Sequence, residues 1–153
     1  MNPLLLAFFL SMTPVGELRL GIPVALAAKI NPWLALVVCV AGNTIIIPIV
    51  FFFLEVLHKK FMHIKFYQSA FDKFMERTRK KTAPLLDKYG MIGLAIFVAV
   101  PIPGTGAYTG TVAAWFFGMN KWKAFLSIFA GVIVAGLIML SVTVGGMKLF
   151  SVI

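Results

Sequence analysis

The sequence predicts an all-α integral membrane protein in which two short helical arms and one membrane-spanning helix occur twice, as an inverted repeat. An apolar composition, long stretches without charge and an internal duplication all point to this class. Apolar residues make up 61% of the 153 residues and charged residues 12%, compared with roughly 45–50% and about 25% in soluble domains. We expect one membrane domain over residues 1–153.

Three stretches of the chain contain no charged side chain: residues 30–54, 89–120 and 124–147. About 20 consecutive apolar residues cross the hydrocarbon core of a bilayer. The first and third stretches therefore predict spanning helices, from Trp33 to Leu57 and from Trp122 to Leu149.

The two halves of the chain align with each other at an offset of 89 residues without a gap. Over residues 5–45 there are 10 identities in 41 positions, and the Pro, Gly, Asn and Trp pairs are rarely matched by chance. Repeat one covers residues 3–57, repeat two covers residues 89–150, and residues 58–88 link them. The identical pairs are Leu5/Leu94, Phe8/Phe97, Pro14/Pro103, Gly21/Gly110, Ala25/Ala114, Asn31/Asn120, Trp33/Trp122, Ala35/Ala124, Ala41/Ala130 and Gly42/Gly131.

Each repeat opens with two apolar arms separated by a Pro/Gly-rich tip. The arms are Pro3 to Met12 and Leu18 to Ala28, then Met91 to Val100 and Ala107 to Phe117. Ten helical residues rise about 15 Å, half of a hydrocarbon core of about 30 Å, so we expect re-entrant hairpins whose tips lie near the midplane. One kinked, continuous span per arm pair is the alternative. The tip residues are Pro14, Gly16, Pro101, Pro103, Gly104 and Gly106.

Basic residues are distributed unequally between the two sides of this arrangement. If each arm pair returns to its own side, a single crossing separates the repeats, which makes them inverted. The linker together with Lys121 and Lys123 then carries 11 basic residues, whereas the opposite side carries Lys29 and Lys148. By the positive-inside rule, we expect a multi-pass protein of the plasma membrane with a cytoplasmic linker.

Apolar side chains recur in the linker every three or four residues, which predicts an amphipathic helix. Its interleaved basic and aromatic residues are typical of a helix lying on anionic lipid, so we expect membrane lipids and no nucleic acid as partners. His58 and His63 are predicted at the interface, and Cys39 as a small buried hydrophobe. No residue pattern predicts a metal site or a cofactor.

Glu17 and Arg19 are the only charged residues before Lys29, and they directly follow the first tip. Charges at that depth are costly and are candidates for function. A carboxyl group withdrawn from water can bind and release a proton during transport, and an arginine offers a planar fork to a phosphate or carboxylate. A structural ion pair that holds the hairpin is the alternative.

The second tip carries no charge, but neutral donors follow it. Gly104 and Gly106 expose backbone amides at the start of a half-helix, which favours an anion or the carboxylate of Glu17. With inverted repeats the two tips meet and enclose one site, which Asn43 and Thr44 are placed to line; Pro48 is a candidate kink. The predicted substrate-binding residues are Arg19, Thr105, Tyr108, Thr109 and Asn43, with Thr111 as a further donor.

No nucleotide-binding, metalloprotease or nucleophile motif is present. Only five acidic residues exist, and four of them lie between Glu55 and Asp87. We therefore expect that the protein is not an enzyme.

Two segments resemble the small multidrug export protein family, which is related to the DedA/VTT superfamily of membrane proteins. They run from Pro14 through Glu17 and Arg19 to Pro23, and from Phe97 to Tyr108. The resemblance covers about residues 5–150. It implies two facing re-entrant hairpins and proton-linked or passive movement of amphipathic molecules, including lipid carriers and phospholipids.

The second tip departs from the DedA pattern, in which arginines flank the Ile-Pro-Gly sequence. Here Ile102-Pro103-Gly104 is preceded by Pro101 and followed by Thr105, without an arginine. If such arginines hold a lipid phosphate, that role falls to Arg19 or is absent.

The sequence thus predicts a secondary transporter or flippase for an amphipathic small molecule or lipid-linked substrate, with Glu17 as the proton-coupling residue. An energy-independent lipid scramblase is the first alternative, and a structural or interaction protein acting through its basic linker is the second. Because two spanning helices are few for enclosing a cavity, we also expect a homodimer.

Overall fold

A computed structural model describes residues 2–151 of the chain. The predicted all-α class is confirmed for this part of the chain, which contains helices and no strand. In chain order the elements are α1 (Pro3–Ser11), α2 (Glu17–Ala27), α3 (Pro32–Phe52), a π-helical turn (Phe53–Leu57), α4 (His58–Phe61), α5 (Lys65–Tyr89), α6 (Met91–Ala99), α7 (Ala107–Phe116) and α8 (Lys121–Ser151).

Two continuous helical segments, Pro32–Phe61 and Lys121–Ser151, are long and apolar enough to cross a membrane. At 1.5 Å per residue each is about 45 Å long, more than a hydrocarbon core of about 30 Å. α3 continues through Pro48 without ending. It packs closely on α8, because a side chain on Gly136 would lie 2.7 Å from Leu36.

Four short helices form two arm pairs, α1 with α2 and α6 with α7. They contain 9, 11, 9 and 10 residues, and each begins and ends within one residue of the arm predicted from the sequence. Each rises only about half the thickness of a hydrocarbon core.

The repeated glycines Gly21 and Gly110 lie where one arm packs on the other. A side chain on Gly21 would lie 2.8 Å from the carbonyl oxygen of Ala7, and one on Gly110 would lie 2.6 Å from Val98. Real Cβ atoms do not approach other atoms so closely, so both positions require glycine. This identity between the repeats therefore reflects the same helix contact made twice.

The repeated asparagines Asn31 and Asn120 cap the two long helices. Asn31 Oδ1 accepts hydrogen bonds from the amides of Trp33 and Leu34, at 2.9 and 3.4 Å. Asn120 Oδ1 accepts them from Trp122 and Lys123, at 3.0 and 3.3 Å. Because the first amides of a helix have no partner within the helix, the same cap stabilises both beginnings.

Replacing Asn120 with alanine should lower the free energy of unfolding by about 1 kcal/mol, because it removes the only side-chain acceptor of this cap. Thermal unfolding of the purified protein in detergent measures the loss. Asn120→Asp retains the acceptor and should remain close to wild type. An equal loss in the alanine and aspartate variants would show that the cap is not the cause.

The linker helix α5 packs on α6 and α7. A side chain on Gly93 of α6 would overlap with the backbone of Leu85, and Met75 is buried beside Val112 of α7. The prediction of an amphipathic helix was therefore right, but much of its apolar face covers the second arm pair. Phe66 remains 85% exposed.

His58 is only 7% exposed, because aromatic side chains cover its ring, and its predicted position at the membrane interface stays a prediction. Its Nδ1 atom lies 3.0 Å from the Tyr67 hydroxyl, and its ring centroid lies 4.1 Å from that of Phe71 and 5.4 Å from that of Trp115. Aromatic packing thus joins the end of the first long segment to α5 and α7.

Candidate substrate and proton site

Glu17 is the first residue of α2 and is only 6% exposed. Its backbone has a φ of +46°. Residues other than glycine seldom adopt this conformation, because it is energetically costly. The preceding tip is compact, because a side chain on Gly16 would lie 2.5 Å from Thr13 Oγ1 and 2.9 Å from the carbonyl of Leu10. The tight turn of the first tip therefore fixes the glutamate in place.

The carboxylate of Glu17 lies against the amino end of α7. A side chain on Gly106 would overlap with both of its oxygen atoms. The free amides and the dipole at a helix amino end favour negative charge. The predicted anion position at the second half-helix is thus occupied by the chain's own carboxylate.

Arg19 reaches the second tip from the first turn of α2. Its Nη2 atom donates a hydrogen bond of 3.1 Å to Thr105 Oγ1. The Thr105 hydroxyl lies 2.6 Å from the carbonyl oxygen of Val100 and 2.7 Å from that of Ile102. One threonine therefore closes the second tip and connects it to the first arm pair.

Glu17 and Arg19 are not directly paired. The ion pairs among the described residues join Lys80 to Glu76 and Lys121 to Glu55. Each charge of the predicted pair instead binds the second arm pair, the carboxylate at the amino end of α7 and the guanidinium at Thr105.

Two further predicted residues bind carbonyl groups at the end of α1, where the first tip begins. The Tyr108 hydroxyl donates to the carbonyl of Met12 at 2.5 Å, and Asn43 Nδ2 donates to the carbonyl of Ser11 at 3.3 Å. The last carbonyl groups of a helix accept no hydrogen bond from an amide of the same helix. Tyr108 of α7 and Asn43 of α3 thus supply the hydrogen bonds that these carbonyl groups of α1 lack.

A cavity of about 10 Å³ lies between the two tips. This is about the smallest space that holds one water molecule, so the structure has a closed site. Thr109 is buried on α7 but does not line the cavity, and the Thr111 hydroxyl bonds to Ala107 within its own helix. The cavity is lined by Glu17, Leu18, Arg19, Asn43, Val98, Pro101, Gly106, Ala107, Val132, Ala135 and Met139.

Lys81 is a residue near the site that the sequence did not indicate. Its ammonium nitrogen lies 3.3 Å from the place that a side chain on Gly104 would occupy, so α5 brings a second cation to the second tip. Gly104 itself has a φ of +84°, the left-handed region that favours glycine. Since this approach depends on how α5 folds back on α6, no local pattern reveals it.

The comparison with protein families matches the model described as "Putative small multi-drug export protein" to residues 17–138. The match begins at Glu17 and includes α2, the linker and α7, that is, the helix that follows each tip. Searches of curated proteins and of solved structures found no match. With two long apolar helices and a match over well over half of its length, the chain is a membrane protein and belongs to the small multi-drug export family.

Proposed function

We propose that the protein is a secondary transporter or flippase that moves an amphipathic substrate and is driven by protons bound at Glu17. In this proposal the two arm pairs are re-entrant hairpins of an inverted repeat, and their tips meet near the membrane midplane. The family match supports a transporter. Two observations support this arrangement: each arm is about half as long as the hydrocarbon core is thick, and the two halves align at one constant offset of 89 residues.

One observation carries the proton step: the Glu17 carboxylate of one arm pair lies against the amino end of the other. While it is ionised, its negative charge attracts the free amides of α7 and holds the tips together. Protonation removes that charge and weakens the attraction. Proton binding at Glu17 then favours separation of the tips and opening of the cavity.

Two cations at the second tip support a substrate with an anionic head group. Arg19 is bonded to Thr105, and Lys81 lies beside Gly104; neither forms an ion pair among the described residues. The missing arginines of the DedA pattern would thus be replaced by cations from α2 and from the linker. An amphipath with a phosphate or carboxylate fits this arrangement.

The charge distribution supports a plasma-membrane protein whose linker faces the cytoplasm. The exposed ion pair between Lys121 and Glu55, at 2.6 Å, joins the beginning of α8 to the end of the first long segment. In this orientation it lies at the cytoplasmic interface. A homodimer remains part of the proposal, and crosslinking in native membranes tests it, since monomer alone would contradict it.

Liposomes that contain the purified protein test the proposed transport. Movement of a fluorescent phospholipid, a polyprenyl phosphate and a cationic dye is followed with and without a pH gradient. We expect the gradient to accelerate the movement of at least one of these three molecules. The largest effect is expected for the anionic lipid, polyprenyl phosphate. Lipid movement that ignores the gradient would instead identify a scramblase.

An interaction protein makes a different prediction for the linker. Its phenotype would be lost when Arg77, Arg79, Lys80 and Lys81 are neutralised and would survive a change at Glu17. Because Lys81 also belongs to the proposed substrate site, a second variant should neutralise only Arg77, Arg79 and Lys80. The proposed transporter requires that this second variant keeps gradient-driven movement.

A further inference from the structure

Asn43 carries a buried acceptor without a partner. The side chain is 2% exposed; its Nδ2 atom donates to the carbonyl of Ser11, while its Oδ1 atom has no hydrogen-bond partner. Among the described residues only Thr78 Oγ1 shares this condition. An unsatisfied polar atom is costly in a low-dielectric interior, and most of all within a membrane.

The position of Asn43 narrows what its partner can be. It lines the cavity of about 10 Å³ together with Glu17 and Arg19, and the Arg19 guanidinium, which donates to Thr105, donates no hydrogen bond to Asn43 Oδ1. A carboxylate only accepts hydrogen bonds, whereas a protonated carboxyl group also donates one. The space admits at most one water molecule between the two side chains.

We propose that Asn43 Oδ1 accepts the hydrogen bond donated by Glu17 when its carboxyl group is protonated, directly or through one water. The inference rests on the proposed function and extends it to the residue that stabilises the bound proton. A hydronium ion gives its proton to Glu17, the carboxyl O–H turns to Asn43, and the same proton later returns to water. Asn43 is thus a positioning residue for the proton.

This arrangement provides a partner to each protonation state of Glu17. The ionised carboxylate has the amino end of α7, whereas the protonated group has Asn43. The carboxyl group therefore exchanges one partner for another without being left alone in the membrane. Release from α7 and binding to Asn43 become one event.

Infrared spectroscopy of the reconstituted protein measures this event without relying on transport. The carbonyl stretch of a protonated carboxyl group reports both its protonation and its hydrogen bonding, and Glu17→Gln assigns the band. In Asn43→Leu we expect the band at the frequency of an unbonded acid. Glu17 should also lose its proton at a pH about one unit lower, because one hydrogen bond to the protonated form is worth roughly tenfold.

Thr44→Val is the matched control. Its hydroxyl bonds to Val40 of its own helix, and Thr44 lines a different groove, between α3 and α8. It should leave the band and the midpoint unchanged. Asn43→Ala, which cannot overfill the site, should shift the midpoint in the same direction by a smaller amount, and it keeps the test decisive if the leucine variant does not fold.

The outcomes separate this inference from the proposed function. If no carboxyl band titrates in the wild-type protein, proton coupling at Glu17 fails. If the band titrates but both Asn43 variants leave it unchanged, only the role of Asn43 is overturned. A titration that shifts with sodium and not with potassium would assign the cavity to a metal cation and would also overturn it.

Discussion

Glu17→Gln is expected to reduce gradient-driven movement of the substrate to the level of protein-free liposomes. Glutamine has nearly the same shape as glutamate but carries no charge at any pH, so it can neither bind the proton nor attract the amino end of α7. A pH gradient then has no group on which to act at the tips. Movement is measured in liposomes with equal amounts of wild-type and variant protein.

Glu55→Gln is the matched control, because it changes the same residue type at a different place. Glu55 is paired with Lys121 at the ends of the long helices, where an exposed ion pair contributes about 1 kcal/mol or less. We expect its gradient-driven movement to stay within about twofold of wild type. If Glu17→Gln also transported normally, Glu17 would be a structural residue and proton coupling would have to be abandoned.

Gly106→Ala should damage both the stability and the transport of the protein. The backbone of Gly106 has a φ of −117°, which any residue adopts, so the effect comes from the side chain alone. The new methyl group would overlap with the Glu17 carboxylate and displace it from α7. We expect a loss of about 1–3 kcal/mol in the free energy of unfolding, together with loss of gradient-driven movement.

Two comparisons isolate this overlap. Gly145→Ala lies in α8, where the new side chain would meet no atom of another helix within 4 Å, and it should stabilise the helix by about 0.5–1 kcal/mol. In a double-mutant cycle, Glu17→Ala removes the displaced carboxylate, so Gly106→Ala should then cost much less. An equal cost in both backgrounds would contradict the contact between Glu17 and Gly106.

The arms and long helices could be predicted from the sequence because local signals define them. Pro and Gly interrupt the apolar stretches at the tips, and an asparagine precedes each long helix where a cap is needed. Glu17 and Arg19 could also be singled out, since they are the only charged residues before Lys29. These features depend on neighbours in the chain.

The remaining features depend on how distant segments pack. The bond from Asn43 to Ser11 joins residues 32 positions apart, and Lys81 reaches Gly104 only because α5 folds back along α6. The burial of His58 has the same origin, since α5 supplies Tyr67 and Phe71 around it. A single sequence contains the residues for these contacts but not their geometry.

In the proposed transporter, the packing of α5 on α6 and α7 of the second arm pair has a consequence for the conformation that the protein adopts at rest. Two identical halves would give the inward-facing and outward-facing forms the same free energy, and neither would be preferred at rest. A brace on one half makes these energies unequal, and a difference of a few kcal/mol is enough to populate one form almost completely. We therefore expect the linker to set the resting conformation: loosening α5 should equalise the populations of the two forms, while the capacity for movement itself is retained.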